Sequence, residues 1–300
     1  MLLLLIPFFC SAQKNKKYRW EVGLNVGASN FLGDLGGANQ IGTHFVRDLE
    51  PVMTRPAVMA TVRYKKDRWL GYRANLGYGK VMGDDKLTQE RFRNNRNLNF
   101  RSNIFEFSAQ VEFYISKERP GHVYHYKKLK GWRHLDIQEY AFVGVGGFYF
   151  NPYGKYIDGR WYALRQFRTE GEGIKPGTKM YSRYSVCFPM GMGFKYALNR
   201  QWSIGLEFGL RMTLTDYIDD VSTVYFDKTQ IAAAQNEPFK QAQAAYFADP
   251  SLGLIPTVDG ISVTGMNQER GHSDHKDSYI FLQVTVNYKI GKIRKTHSKF

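Results

Sequence analysis

Residues 202–214 alternate without an error between two kinds of side chain. One face carries Trp202, Ile204, Leu206, Phe208, Leu210, Met212 and Leu214; the other carries Ser203, Gly205, Glu207, Gly209, Arg211 and Thr213. A period of two places one set on each side of a β-strand and is incompatible with a helix. A tilted strand crosses a bilayer in about 9–11 residues, so this segment is long enough to span one. The pattern recurs. Residues 103–115 set Phe105, Phe107, Ala109, Val111, Phe113 and Ile115 against Glu106, Ser108, Gln110 and Glu112. Segments 20–28, 70–80, 184–196 and 278–290 alternate likewise, and two weaker ones, 57–64 and 140–150, complete a set of eight. Pro189 has no N–H to give a ladder, which predicts a bulge or local break in 184–196.

With those bounds the connections run to about 28, 5, 22, 24, 33, 5 and 63 residues. A chain that begins and ends on the periplasmic side puts long loops outside and tight turns inside. The fourth connection, 116–139, departs from that rule and reads as a periplasmic insertion. The last outer loop, 216–277, holds the Ala- and Gln-rich stretch 230–248, which predicts short helices broken near Pro238.

The composition of the two faces decides what surrounds them. The apolar face is bulky, and the other is rich in Gly, Ser and Asn with sparse charges. Eight strands enclose an interior that side chains just fill, which suits the small-residue face. A solvated outer face would avoid Gly, which weakens strands. Aromatic residues near strand ends (Trp20, Trp69, Tyr114, Tyr149, Tyr196, Trp202 and Tyr288) predict interfacial girdles. The expected fold is therefore all-β, an eight-stranded antiparallel transmembrane β-barrel in the outer membrane, in contact with its lipids. A helical membrane protein is excluded, because no apolar run after residue 10 approaches about 20 residues. The lumen then receives Glu21, Glu106, Glu112 and Glu207 with Arg63, Arg73, Lys195, Arg211 and Lys289, and charges so confined must pair.

The first twelve residues, MLLLLIPFFCSA, read as a Sec-type signal peptide, leaving 13–300 as the barrel domain. Cys10 suggests a lipoprotein alternative, but Phe8 and Phe9 stand where small residues belong. After cleavage Cys187 is the only cysteine, so neither an internal disulfide nor a thiolate metal site is expected. His272 and His275 lie three apart in a polar loop. There is no Walker loop, G-x-S-x-G or H-E-x-x-H, and the G-V-G-G at 144–147 precedes no helical pattern. Glu106 and Glu112 could be a glycosidase pair only if a cleft lay between them, which a filled lumen denies. No enzymatic activity, cofactor, metal or nucleic-acid partner is expected. Asp216, Asp219 and Asp220 leave a calcium site conceivable beside a purely structural loop, although their spacing is not that of an EF-hand. Much of the +15 net charge is local. The insertion holds Lys117, Arg119, Lys127, Lys128, Lys130 and Arg133 against Glu118 and Asp136, and the tail 291–300 adds four basic residues. Lys127, Lys128, Lys130 and Arg133 read either as a docking surface for an acidic partner or anionic headgroups, or as a solvated insertion.

Three segments carry a family resemblance: N-F-L-G-D-L-G-G at 30–37, R-M-T-L-T-D-Y-I-D-D-V-S-T-V-Y at 211–225, and R-G-H-S-D-H-K-D-S-Y-I-F-L-Q-V-T-V-N-Y-K-I at 270–290. Asp216, Tyr217, Asp219 and Asp220 form its specific part. The chain resembles the PorG-like outer-membrane barrels of the type IX secretion system of Bacteroidetes. That resemblance implies a non-enzymatic component that associates with the periplasmic lipoprotein ring and supports protein export and, in gliding relatives, motility. Two rivals stand beside it: a small general outer-membrane barrel acting as a structural protein or weak pore, and a lipid-modifying barrel hydrolase. The hydrolase would need a Ser/His pair on the outward rim, and the sequence offers none.

Overall fold

The computed structural model describes residues 19–35, 51–116, 118, 137–257 and 262–291. The expected signal segment 1–12 and the basic positions Lys127, Lys128, Lys130 and Arg133 lie outside the described residues. Eight long strands form the wall: β1 (Trp20–Leu32), β2 (Arg55–Lys65), β3 (Leu70–Asp84), β4 (Asn99–Tyr114), β5 (Ile137–Lys155), β7 (Tyr184–Ala197), β8 (Trp202–Thr213) and β9 (Ser278–Ile290). A short ninth strand, β6 (Trp161–Ala163), pairs with the outer end of β5. Every neighbouring pair is antiparallel. β9 closes the barrel on β1 in a register running from Trp20↔Ile290 to Leu32↔Ser278. Closure leaves no unpaired edge, as a span in lipid requires.

All eight predicted strands are present, but several are longer than their alternation. β4 begins at Asn99 rather than 103, and β5 runs from Ile137 to Lys155 rather than 140–150. At their outer ends these strands leave the membrane as a ribbon, Arg101↔Tyr153 continuing through β6. There both faces meet protein or solvent, so the apolar alternation stops while the hydrogen bonding goes on. Pro189 makes a break and not a bulge. The β5–β7 ladder runs Val143↔Met190 and then Gly146↔Cys187, skipping two residues on each strand with no change of register.

The faces are inverted relative to a soluble barrel. Leu24, Leu76, Phe107 and Val284 point outward with half or more of their surface exposed, whereas Asn25, Asn75, Ser108 and Gln283 are buried inside. A continuous apolar band of this kind is stable only against lipid. Outward aromatic pairs mark its borders: Trp20 with Tyr64, ring centroids 5.0 Å apart, and Trp202 with Tyr288 at 4.9 Å. Tyr114 does not belong to this girdle. It is in phase with Glu112, turns into the lumen and donates its hydroxyl to that carboxylate. A position near a strand end sets depth, while parity sets the face.

The outer loops fold over the mouth as a cap. It contains α1 (Arg91–Arg96), α2 (Lys228–Ala233) and α3 (Pro238–Ala248). Pro238 opens α3, where its missing N–H is not needed, so the expected break is the boundary between two helices. Phe100, Ile104, Phe148, Phe150 and Phe281 from the strands join Leu35, Ile218, Val221 and Phe247 from the loops in one apolar core.

Candidate functional site

Two regions gather the chemically capable side chains: the lumen and the cap. In the periplasmic half of the lumen, Arg63 and Arg73 are direct cross-strand partners, a like-charged pair that needs acids around it. Glu112 Oε1 accepts from Arg63 Nε at 2.8 Å and lies 3.2 Å from Arg73 Nη1. Glu207 pairs with Arg73, lies 3.5 Å from Arg63 Nη2 and accepts the Tyr140 hydroxyl at 2.7 Å. Glu21 sits 3.1 Å from Arg63 Nη1 and also pairs with Lys195. Nearer the outer end, Glu106 accepts from Arg211 Nε at 3.2 Å and from the Tyr279 hydroxyl at 2.9 Å. Glu106 and Glu112 thus belong to separate ion-pair groups and do not flank a common cleft. Rings close the lumen as well: the Arg73 guanidinium lies 4.4 Å from the Phe142 ring centre and that of Arg211 lies 4.3 Å from Phe281.

The periplasmic mouth carries its own latch. Glu118, just beyond β4, turns back so that its carboxylate accepts from Lys65 Nζ at 2.9 Å and from Lys289. Burial raises its pKa, but Lys65, Lys195 and Lys289 outweigh that and hold it well below the usual carboxylate range.

In the cap, the three segments that carry the family resemblance meet. Asp219 takes the Leu35 N–H at 3.2 Å, which binds the fourth outer loop to the first. Asp277, at the entry to β9, takes the Ile218 N–H at 2.8 Å, and Asp34 takes the His272 N–H at 2.6 Å. Asp216 accepts the Ser222 hydroxyl at 2.7 Å. Asp220, in the left-handed region at φ 69°, accepts the Thr169 hydroxyl at 2.6 Å and the Tyr181 hydroxyl. Tyr217 stacks on Tyr181, centroids 4.6 Å apart, and Tyr181 on Phe150 beneath it, so the motif rests on the lumen's aromatic column. Two arginines act as hubs. Arg96 binds Asp85 through Nε at 2.8 Å, the Asp34 carbonyl at 2.8 Å and the Arg270 carbonyl at 2.7 Å. Arg270 binds Glu170 at 3.1 Å and the Asp220 carbonyl at 2.8 Å.

This junction tolerates no side chain at Gly271, where a Cβ would lie 2.5 Å from Asp34 Oδ2 and 2.8 Å from the Ser222 backbone nitrogen. The carboxyls of Asp216, Asp219, Asp220 and Asp277 are held high. Burial pushes Asp216 up to about 6, with Asp34 adding to it, and burial with Glu172 pushes Asp220 up to about 8. Burial also raises Asp219 and Asp277 strongly, each reinforced by neighbouring aspartates. Among the described residues, no group of three His, Cys, Asp or Glu side chains is disposed to hold a metal ion. His272 and His275 stack on each other, centroids 5.2 Å apart, and His272 is exposed.

The structure brings Asp216, Tyr217, Asp219 and Asp220 into the cap, and Glu106, Glu112, Glu207, Arg211 and Arg73 into the lumen. Sequence reasoning missed the aromatic half of the lumen. Tyr279 and Phe281 are in phase with Gln283, so parity placed them inside all along, but bulky rings were expected on the lipid side. Arg96 and Glu170 gave no signal, since Arg96 ends the six-residue helix α1 and Glu170 lies in an aperiodic loop.

A closed, lipid-facing barrel with a packed lumen and an interlocked cap defines a small transmembrane β-barrel protein. The chain belongs to the family described as a domain of unknown function, DUF6089, whose profile matches residues 1–230. No curated protein matches it in sequence. Similar solved structures include Neisserial surface protein A, at 7% identity over 90% of this chain and 97% of that one, TM-score 0.37. Another is the attachment invasion locus protein Ail of Yersinia pestis, at 7% identity over 91% and 99%, TM-score 0.37. A third is the outer membrane protein OprG of Pseudomonas aeruginosa, at 9% identity over 92% and 98%, TM-score 0.36.

Proposed function

We propose that the protein is a non-enzymatic outer-membrane component of the type IX secretion machinery that docks a periplasmic ring complex and supports protein export and, where the cell glides, motility. The observation that sets this reading apart from a pore is the filled lumen. Ion pairs, rings and the Glu118 latch occupy the barrel interior, so the protein acts through its surfaces and not as a conduit. The resemblance of the three cap segments supplies the machinery, and the basic insertion supplies the contact. With Glu118 committed to Lys65 and Lys289, Asp136 is the one acid left in 119–136 to offset Arg119, Lys127, Lys128, Lys130 and Arg133. Attraction to an acidic partner is screened beyond about 8–10 Å at physiological salt, so docking requires direct contact.

Reversing Lys127, Lys128, Lys130 and Arg133 to Glu leaves every described strand untouched. The variant should assemble normally and lose co-purification with ring proteins, and export should fall. Normal co-purification and export would return the insertion to a solvated loop. The second reading, a general structural barrel of the outer membrane, is favoured by the same filled lumen and predicts no bound ring in either form. Orientation is tested separately: protease added to intact cells should cut within 32–56, 82–102, 151–182 or 217–276 and never between 117 and 137.

A further inference from the structure

Beside the junction of the cap segments, a cleft of about 450 Å³ opens between the first, second and fourth outer loops. That volume falls in the range of small-ligand sites, about 300–1,000 Å³. Phe92 of α1 stands at its edge, 61% exposed, and Arg96, Gln268, Arg270 and His272 line its walls.

The charged side chains on those walls are already engaged in ion pairs. Arg96 Nε meets Asp85 at 2.8 Å, and Arg93 Nε lies 3.8 Å from the same carboxylate. Arg270 meets Glu170 at 3.1 Å, and His272 Nδ1 lies 2.6 Å from Glu269 Oε1. Asp34 accepts the His272 N–H, and burial raises its pKa towards the neutral form. A charged ligand would gain a partner only by unbalancing one of these pairs. A neutral ligand rich in hydroxyls meets no such penalty. Guanidinium and carboxylate groups in pairs keep further donor and acceptor capacity, and the Gln268 amide adds one of each. The exposed Phe92 ring offers a flat apolar surface, which suits the C–H face of a pyranose.

We propose that this cleft binds a saccharide, with one sugar ring stacked on Phe92 and its hydroxyls held by the paired charges. The sugar can be a free glycan or the carbohydrate of an outer-leaflet glycolipid, since the two share this chemistry. The inference is independent of the secretion reading and survives its failure.

The test uses the full-length barrel in detergent. Maltotriose, chitotriose, mannotriose and the oligosaccharide freed from the organism's own lipopolysaccharide are titrated by calorimetry and saturation-transfer NMR. At least one should bind, with transfer strongest to ring C–H protons. Phe92→Ala should weaken that binding about tenfold, the worth of one aromatic contact. Phe92 is exposed, so the variant should keep its heat-modified gel shift; Gln268→Leu, which leaves the ring in place, serves as the second variant and should also weaken binding. Binding of the lipopolysaccharide oligosaccharide alone would assign the glycolipid source, and binding of a trisaccharide the free one. The proposal is overturned if none of the four binds, if both variants bind as the parent does, or if millimolar sodium sulfate displaces the sugar, which would mark an anion site.

Discussion

The lumen and the cap both bury many charged groups, and they keep them in different ways. In the lumen, five acids (Glu21, Glu106, Glu112, Glu118 and Glu207) face six bases (Arg63, Lys65, Arg73, Lys195, Arg211 and Lys289), and most bonds run from side chain to side chain. In the cap, Asp85, Glu170, Glu172, Asp216, Asp219, Asp220 and Asp277 are buried with, among the described residues, only Arg93, Arg96 and Arg270 paired to them. The excess acids accept backbone N–H groups and hydroxyls from other loops. A rigid wall fixes where each lumen charge stands, so complementary charges can be placed at fixed register. Loops have no such frame, and there the carboxylates themselves act as the ties between chains. The lumen should therefore be sensitive to loss of a partner and the cap to pH.

The largest effect should come from the lumen. Glu207→Leu leaves Arg73 and Arg63 short of a carboxylate, and breaking a buried pair costs about 3–5 kcal/mol. Ser203→Leu, which only overpacks the same strand, costs about 1–3 kcal/mol. The temperature of the heat-modified gel shift should fall further for the first than for the second. Equal falls would mean that the lumen is hydrated and its charges unpaired, erasing the contrast.

Next comes Gly271→Ala, which drives a methyl into the Ser222 backbone and the Asp34 carboxylate, an overpacking cost of about 1–3 kcal/mol. Because it acts on the cap alone, it should expose the outer loops to protease and leave the barrel's gel shift in place. A shift of the barrel itself would show that cap and wall unfold as one unit.

A smaller effect should follow pH. Four acids of the cap, Asp216, Asp219, Asp220 and Asp277, have folded values above the unfolded value near 4. Their contribution is complete below that value and declines as pH rises through the folded ones, about 6 for Asp216 and about 8 for Asp220. Protease cleavage of the cap should therefore quicken between pH 5 and pH 9, while the barrel stays unchanged. Cleavage that does not depend on pH in that window would show that these carboxyls ionise without cost. The smallest effect belongs to Asp220→Asn, which keeps the left-handed backbone and an acceptor for Thr169 or Tyr181. It should flatten the upper part of that pH response and change cap stability at pH 6 by about 1 kcal/mol or less. An unchanged response above pH 7 would place the titrating group elsewhere.

The wall was far more legible than the cap. Lipid outside and a narrow lumen inside impose opposite solvents on alternate residues, so Trp202 to Thr213 could be read residue by residue. That logic fails where the two solvents cease to differ, as at 151–155, where β5 continues above the membrane without an apolar face. It also misjudged Tyr114 and the inner rings, because aromatic character was treated as a sign of lipid contact. In the cap, T-D-Y-I-D-D-V-S was recognisable as a motif, but Leu35 and Asp219 are 184 residues apart, and no local pattern announces their bond.

From the amino-acid order alone follow the eight strands of the wall, which face meets lipid, and the lumen charges carried on the strands' inward parity, though not Lys65 and Glu118 at the mouth, since each depends on the strand period and on the solvent outside. Tertiary structure decided the rest. It chose which acid meets which base, pairing Glu21 with both Arg63 and Lys195 across the closed sheet. It also drew residues 30–35 and the segments at 211–225 and 270–290 into one junction. The reason is geometric: closure of β9 on β1 sets the stagger of every strand, and that stagger determines which distant side chains share a level of the barrel and which loops meet above it.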